Sequence, residues 1–202
     1  SEESYVSVPE EANESLIPPG TQQSGTVYTI GESDGRHAPF RIETQALAGT
    51  GTTSISGTPG TEMKTSFETA CDYLQANIRE LTRDETLDDY DLNVQVLNPS
   101  DAGEGKETSV GFLVGIVSGI LDRSVRPQTI VLGAMSLMGE LVAVSSLVDK
   151  LQLAVDSGAN SVLLPAENKS DIAKIPNELL DELQLMFYTD PLDAASKAIN
   201  IN

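Results

Sequence analysis

The apolar positions of the chain repeat with two different periods, and the period changes along the sequence. Over residues 61–78 apolar side chains recur at intervals of three, four and seven residues, which is the spacing of one helix face. Over residues 91–96 they alternate with polar residues, which predicts a strand with one buried face. The segment 110–121 is apolar on most sides, so we predict a helix that begins near Ser109 and lies in the middle of the domain.

The same patterns, together with Gly, Pro, Asn and Asp turn signals, predict the remaining elements. The first three strands are expected to form an antiparallel hairpin region, and Ser146 with Asp149 is expected to form a capping box for the helix that follows. Strands and helices alternate through the second half, which predicts an α+β fold with mixed sheets and packed helices. The first three strands are predicted at 26–30, 39–45 and 52–56, and later strands at 129–132, 141–144, 161–164 and 185–188. Further helices are predicted at 146–157, from about 168, at 176–183 and at 191–199.

Residues 1–24 differ in composition from the rest of the chain. They are rich in Ser, Glu and Pro and contain a Pro18-Pro19-Gly20 break, which predicts a flexible linker or a docked arm. A length of 202 residues suits one compact domain, which we place at 25–202. Apolar residues make up 39% of the chain but aromatic residues only 4%, so aliphatic side chains must fill the core.

The formal net charge of −19 makes the surface strongly acidic. Such a surface repels phosphates and anionic lipids, which excludes nucleic acid and membranes as expected partners of this segment. Solubility is the ordinary reason for such a charge, and a high-salt habitat is the alternative. The chain has no stretch of the ~18–20 apolar residues needed to cross a bilayer and begins without a secretory signal pattern, so we expect a soluble, cytoplasmic protein.

Several kinds of site lack the residues that they need. The segment 103–106 (Gly-Glu-Gly-Lys) resembles part of a phosphate-binding loop, but Ser100 and Glu107 occupy positions that require Gly and Ser or Thr. His37 is the only histidine and is expected in a turn, and its neighbours do not support a His-dependent triad. Cys71 is the only cysteine and is expected to pack on a helix face, so a metal site is not predicted.

Ser109 and Lys150 remain as a candidate nucleophile and base. A serine hydroxyl attacks a carbonyl efficiently only when a base takes its proton, and a lysine in apolar surroundings can be that base. Ser109 lies where a Gly-rich loop meets a helix, whose first amides can stabilise an oxyanion. Lys150 has Leu147, Val148 and Leu151 as apolar neighbours. From these residues alone, a capping serine and a surface lysine remain the alternative.

The chain from about residue 25 to residue 202 resembles the proteolytic domain of Lon proteases, and the matching segments occur in the same order. The segment 108–111 (Thr-Ser-Val-Gly) is similar to the family's Pro-Ser-Ala-Gly motif, and 133–139 to its Gly-Glu-Ile-Ser/Thr-Leu-x-Gly motif. The segment 147–151 is similar to the helix that carries the family's catalytic lysine. The closing segment 162–171 resembles Pro-x-Glu-Asn-Lys-x-Asp and is the most specific match. The other matching segments are 40–51, 56–66 and 175–176.

The resemblance implies a serine peptidase of Lon proteolytic-domain fold, in which Ser109 is the nucleophile and Lys150 the base of a Ser-Lys dyad. It implies unfolded polypeptide substrates, an AAA+ ATPase module that feeds them, and a homo-hexameric ring. It implies no cofactor in this domain, with ATP and Mg expected only in a separate ATPase module. We also predict that Ser109 Oγ and Lys150 Nζ lie about 2.6–3.2 Å apart, within hydrogen-bonding distance.

Some positions depart from the family pattern. Leu132 stands where the family has a Thr that hydrogen-bonds the catalytic lysine, and Lys106 stands where it has an acidic residue. Thr108 replaces the Pro before the serine, and Ser145-Ser146 replaces a pair that is usually Gly-Gly. Leu132, Lys106 and the serine pair favour an alternative function, in which the domain is a non-hydrolytic assembly module of an AAA+ ring.

Short segments at both ends resemble one branch of the family. These are 18–20, 25–29 and 186–191. They are similar to the Lon-related protein of BREX phage-defence systems, an ATPase with a Lon-like C-terminal domain. The resemblance implies that an assembly module of this kind would act in phage defence.

Overall fold

A computed structural model of the chain describes residues 15–57, 59–97, 105 and 107–200. The strands are β1 (Thr26–Ser33), β2 (Arg36–Ala48), β3 (Thr53–Gly57), β4 (Tyr90–Leu97), β5 (Thr129–Val131), β6 (Ala134–Met135), β7 (Leu141–Val142), β8 (Ser161–Pro165) and β9 (Gln184–Tyr188). The helices are α1 (Thr61–Asn77), α2 (Arg79–Thr82), α3 (Ser109–Leu121), α4 (Leu147–Asp156), α5 (Asn177–Glu182) and α6 (Pro191–Ala198), with 3₁₀ helices at Leu87–Asp89 and Ala166–Lys174.

Seven of the strands form one mixed sheet in the order β3-β4-β2-β1-β5-β8-β9, and β6 pairs with β7 in a separate antiparallel ribbon. Strand β2 pairs antiparallel with both β1 and β4, whereas β5, β8 and β9 continue the sheet in parallel from β1. The predicted mixed fold with packed helices is therefore confirmed.

The first hairpin follows from its turn residues. Asp34 and Gly35 both have positive φ, at 49° and 75°, and they join β1 to β2 with Ser33 opposite Arg36. A two-residue turn of this kind matches the right-handed twist of the strands. The first two predicted strands are confirmed and are longer than predicted.

The predicted hairpin partner of the third strand is wrong. Strand β3 pairs in parallel with β4 and not with β2. The reason lies in the burial of the two strands. Leu92, Val94 and Val96 of β4 are buried on one face, which suits a strand inside the sheet, whereas β3 is largely exposed and suits its edge.

Helix α3 has the predicted bounds and is almost entirely buried. Gly111, Gly115 and Gly119 recur every four residues on the face that packs on β1 and β2. An added Cβ would lie 3.0 Å from Thr29 Cβ at the first position and 3.2 Å from Val27 Cγ1 at the second. The row of glycines therefore lets the helix backbone approach the sheet directly, and this contact fixes where the helix begins.

The sheet separates two apolar clusters. The first lies under α1, α3 and α6, and the second lies on the other face under α4 and α5. Ile17 belongs to the second cluster and donates its backbone N–H to Ser157 O at 2.9 Å. This contact docks part of the segment before residue 25, although the domain boundary placed there stays a prediction. Within the described ranges, no helix combines the length and apolar character that a membrane span requires.

Candidate active site

Ser109 is the first residue of α3, and 3% of it is exposed. Its Oγ accepts a hydrogen bond from Met135 N at 3.0 Å. The next amide, Val110 N, donates to Gly133 O at 3.4 Å. These two bonds tie the start of α3 to the segment 133–139, one of the motifs singled out in the sequence.

The first turn of α3 leaves only some of its backbone amides available, because Val110 N donates to Gly133 O and Phe112 N to Thr108 O. No side chain caps this helix among the residues the structure describes, and the Thr108 hydroxyl donates to Gly105 O at 3.0 Å instead. The first amides of a helix have no partner within the helix and point towards its positive end. They can therefore stabilise the negative oxygen that forms when Ser109 attacks a carbonyl.

Lys150 lies on α4 and is 1% exposed. Its ammonium group donates to Glu107 Oε2 at 2.5 Å and to Ser145 Oγ at 3.4 Å, and it lies 3.8 Å from Glu32 Oε2. The apolar face of α4 carries the lysine inward, because Leu147, Lys150, Leu151 and Ala154 are buried at helical spacing.

The predicted hydrogen bond between Ser109 and Lys150 is not present in this conformation. Among the described residues, Lys150 is bound by Glu107 and Ser145, and Ser109 is bound by Met135. A buried ammonium without a charged partner is costly, so a carboxylate within reach is preferred over a neutral hydroxyl. Glu107 lies two residues before Ser109, so this ion pair brings Lys150 to the segment that enters α3.

Three further residues complete the polar network. Ser145 Oγ lies 2.9 Å from Glu107 Oε1 and 3.1 Å from Glu32 Oε2, and it can donate its one proton to either carboxylate. From the sequence, Ser145 is identified only as a departure from the family pattern, and Glu32 and Glu107 are not predicted as site residues. Glu107 could have been found, because it is the acidic residue nearest to Ser109 in the chain. Glu32 could not have been found from the sequence, because it comes near Lys150 only through the position of β1 in the sheet.

The turn before α4 has an unusual backbone. Ser146 has φ 49° and ψ 44°, in the left-handed region, and its side chain makes no capping hydrogen bond. The predicted capping box with Asp149 is therefore wrong. A left-handed residue directs the chain sharply into the helix, a conformation that glycine adopts more readily than serine.

Asn168 fixes the strand segment that leads into this turn. Its side chain is fully buried, accepts from Val144 N at 2.8 Å and donates to Val144 O at 3.1 Å. It also donates to Asp171 Oδ2 at 3.1 Å. Asn168 lies within a 3₁₀ helix where a short helix was predicted. It thus acts on the site indirectly, by holding the backbone beside Ser145.

The remaining sequence candidates take structural positions. His37 lies in β2 opposite Glu32 rather than in the predicted turn, because the hairpin turns earlier at Asp34 and Gly35. Cys71 is partly buried against the first apolar cluster. Burial raises the pKa of the Cys71 thiol to about 12, so this thiol is neutral and a poor nucleophile at pH 7.

The positions where the sequence departs from the family pattern can be placed in part. Leu132 is buried in the second apolar cluster, and its carbonyl accepts a hydrogen bond from Tyr188 Oη at 2.6 Å. Its side chain offers no hydroxyl to Lys150. Lys106 lies outside the described residues.

Comparisons with known proteins point to one family. Residues 20–200 match the model of the Lon protease (S16) C-terminal proteolytic domain. The chain is 36% identical to a Lon-like protease BrxL of Escherichia coli O9:H4, over 100% of this chain and 29% of the relative. It is 32% identical to a Lon-like protease BrxL of Bacillus cereus, over 98% of this chain and 30% of the relative.

A more distant relative carries the name Lon protease 1. This protein of Thermus thermophilus is 30% identical over 74% of the chain and 19% of its own length. The chain thus spans less than a third of the length of each of these three relatives.

Proposed function

The chain belongs to the Lon protease C-terminal proteolytic domain family, and we propose that it is a peptidase domain with a Ser109–Lys150 dyad. One observation carries this proposal. The buried amine of Lys150 lies against the segment that enters α3, where it binds Glu107 two residues before Ser109. A cationic side chain with 1% exposure is rare unless it is paired, and here its partner lies beside a serine at a helix start.

The proposed reaction is acyl transfer through Ser109. Lys150 leaves Glu107, to which it gives up one proton, and the resulting neutral amine takes the hydroxyl proton of Ser109 as Oγ attacks the peptide carbonyl. The first amides of α3 stabilise the tetrahedral oxyanion, and the protonated lysine then gives its proton to the leaving amine. Water attacks the acyl-enzyme in the second half of the reaction, with Lys150 again as the base.

Family membership and the greater length of the relatives support a proposal for the substrates and partners. We propose that the domain acts within a longer chain, as part of a cytoplasmic homo-hexameric ring. An AAA+ ATPase module would unfold polypeptides and deliver them to the site. ATP and Mg would serve that module, since a Ser-Lys dyad requires no cofactor.

The experiment is cleavage of casein by the full-length protein with ATP. Ser109→Ala and Lys150→Ala are each expected to lower the cleavage rate by at least about 10³-fold, because each removes one half of the acyl-transfer machinery. Lys64→Ala, which changes an exposed lysine on α1, is the matched control and should retain the parent rate. Cleavage that survives in Ser109→Ala would rule out the dyad.

A second function is favoured by the conformation of the site. Ser109 is buried and bonded to Met135, Lys150 is held by Glu107, and Leu132 offers no hydroxyl. These features suit a domain that assembles an AAA+ ring without hydrolysis, in phage defence. No casein cleavage with ATP, together with a ring of intact mass by light scattering, would establish this second function.

A further inference from the structure

The hydroxyl of Ser145 joins all three charged groups of the site. It lies 3.4 Å from Lys150 Nζ, 2.9 Å from Glu107 Oε1 and 3.1 Å from Glu32 Oε2. A hydroxyl has one proton to donate and can accept at the same time. Ser145 can therefore accept from the ammonium group while it donates to either carboxylate.

The position of this hydroxyl is set by backbone that is held on both sides. Before it, Val144 is pinned through both its N–H and its C=O by the buried side chain of Asn168. After it, the Ser146 carbonyl accepts from Lys150 N at 3.1 Å, so Ser145 and Lys150 are held by the same turn. Relative movement between the Ser145 hydroxyl and the lysine stem is thus restricted.

The two carboxylates come from different parts of the chain. Glu32 lies on β1 inside the sheet, where it is paired with His37 of β2. Glu107 lies on the segment that enters α3 and has φ 62°. In this conformation the Lys150 amine lies 3.4 Å from Ser145 Oγ and 3.8 Å from Glu32 Oε2, and it must leave Glu107 to serve Ser109.

We propose that Ser145 is a positioning residue that keeps the Lys150 amine in place as it exchanges Glu107 for Ser109. This inference rests on the proposed role of Lys150 as the base. Without the hydroxyl, the amine would have Glu107 as its single hydrogen-bond partner among the described side chains. It would then be held more firmly at Glu107 and be aligned less well towards Ser109.

The test compares Ser145→Ala with Ser145→Thr in casein cleavage by the full-length protein with ATP. The alanine variant is expected to lose about 10- to 100-fold in kcat, with KM changed less than about twofold, because misplacing a catalytic group slows the chemical step. The threonine variant retains a hydroxyl and should recover most of kcat. Ser146→Ala is the matched control, because it removes a neighbouring hydroxyl that makes no hydrogen bond within the described part of the chain.

Two results would overturn the inference. One is a kcat of Ser145→Ala within about twofold of the parent, and the other is an equal loss in the alanine and threonine variants. Equal melting temperatures of parent and variants would exclude loss of fold as the cause of any decrease.

A second measurement separates this inference from the proposed function. If the parent protein cleaves nothing, the peptidase proposal fails, but the effect of Ser145 on the amine can still be read. The rate at which an acylating reagent modifies Lys150 is followed by peptide mass spectrometry, with the exposed Lys64 as internal reference. Ser145→Ala should change the Lys150 rate at least about threefold relative to Lys64, and an unchanged ratio would overturn the inference.

Discussion

The buried pair of Glu107 and Lys150 has an energy that depends on both partners. The lysine side chain is 1% exposed and that of the glutamate 22%, so water screens this pair poorly. We expect Glu107→Gln to lower the free energy of unfolding by about 1–3 kcal/mol, because it leaves a buried charge with a weaker partner. The same substitution in a Lys150→Met background should have little effect. Urea unfolding of the four proteins gives the coupling energy of the double-mutant cycle.

An equal loss in both backgrounds would show that Glu107 stabilises the fold without acting on Lys150. The cycle is informative because each partner has few alternatives among the described residues. Lys150 has Glu32 at 3.8 Å and Ser145 at 3.4 Å, and neither replaces the contact with Glu107.

The sequence allowed Ser109 and Lys150 to be chosen as candidates but did not predict their resting partners. Motifs and their spacing depend on residue types, so they identify Ser109 and Lys150 as candidates. The choice between Ser109 and Glu107 as the partner of Lys150 depends on a contact of a few ångströms. Such a contact is set by the backbone turn at Glu107, whose positive φ no local pattern predicts for a glutamate.

At the scale of single elements, the glycine row of α3 determines how closely the helix packs on the sheet. Gly111→Ala would place its Cβ 3.0 Å from Thr29 Cβ, an atom fixed to the backbone of β1. Overpacking typically costs about 1–3 kcal/mol, and the better helix propensity of alanine returns about 1 kcal/mol. We therefore expect a net destabilisation of up to about 2 kcal/mol, measured by urea unfolding.

The same substitution should slow casein cleavage in the full-length protein, because Gly111 lies two residues from Ser109 and a displaced helix start would move the hydroxyl. A Gly111→Ala variant more stable than the parent would show that β1 can shift to make room for the added methyl group. The close approach of α3 to β1 would then not be required for stability.

The turn before β3 depends on one carboxylate. Asp91 Oδ1 accepts from Thr50 N at 2.9 Å and from Thr52 N at 3.0 Å, and these backbone hydrogen bonds lower the pKa of Asp91. A carboxyl group with a lowered pKa in the folded state binds protons less readily there than in the unfolded chain. Its contribution to stability is therefore complete above its unfolded pKa of about 3.9 and is lost as the pH falls through the folded value.

We expect Asp91→Asn to lower the melting temperature at pH 7, because the amide accepts hydrogen bonds more weakly than the carboxylate. The difference from the parent protein should shrink below about pH 4, because there the unfolded parent begins to bind a proton at Asp91 that the folded parent binds only at lower pH. Thermal unfolding followed by circular dichroism between pH 7 and pH 3 measures this dependence. A difference that stays constant over that range would mean that the charge of Asp91 does not hold the turn.

Elements were predicted best where one pattern dominates. The bounds of α3 follow from an uninterrupted apolar segment, and the β1–β2 hairpin follows from Asp34-Gly35. The partner of β3 could not be predicted, because its five residues contain too little periodicity to choose between β2 and β4. Parallel pairing of β3 with β4 also needs a crossover connection, which contains α1. It could be predicted only if β4 were already known to lie beside β2.

At the scale of the whole molecule, the sheet lies between the two apolar clusters. Helix α3, which begins with Ser109, packs in the first cluster, and α4, which carries Lys150, packs in the second. Lys150 contacts Glu107, on the segment that enters α3, and lies 3.8 Å from Glu32 near the end of β1. The site therefore depends on the packing of both faces, and a change in either cluster is expected to alter the geometry between the serine and the lysine.

The acidic surface gives the last prediction, which concerns the stability of the entire domain. With 31 Asp and Glu against 12 Lys and Arg, carboxylates repel each other over the folded surface. Raising NaCl from 0.05 M to 0.5 M shortens the Debye length from about 14 Å to about 4 Å, which screens this repulsion but leaves the buried Lys150 pair little affected. We expect the melting temperature to rise by roughly 3–6 °C, a shift that corresponds to about 1–2 kcal/mol for a chain of this length. Sucrose at equal osmolality is the control, because it has no charge and cannot screen. A melting temperature that falls with NaCl would show that attractive ion pairs at the surface outweigh the repulsion expected from the net charge.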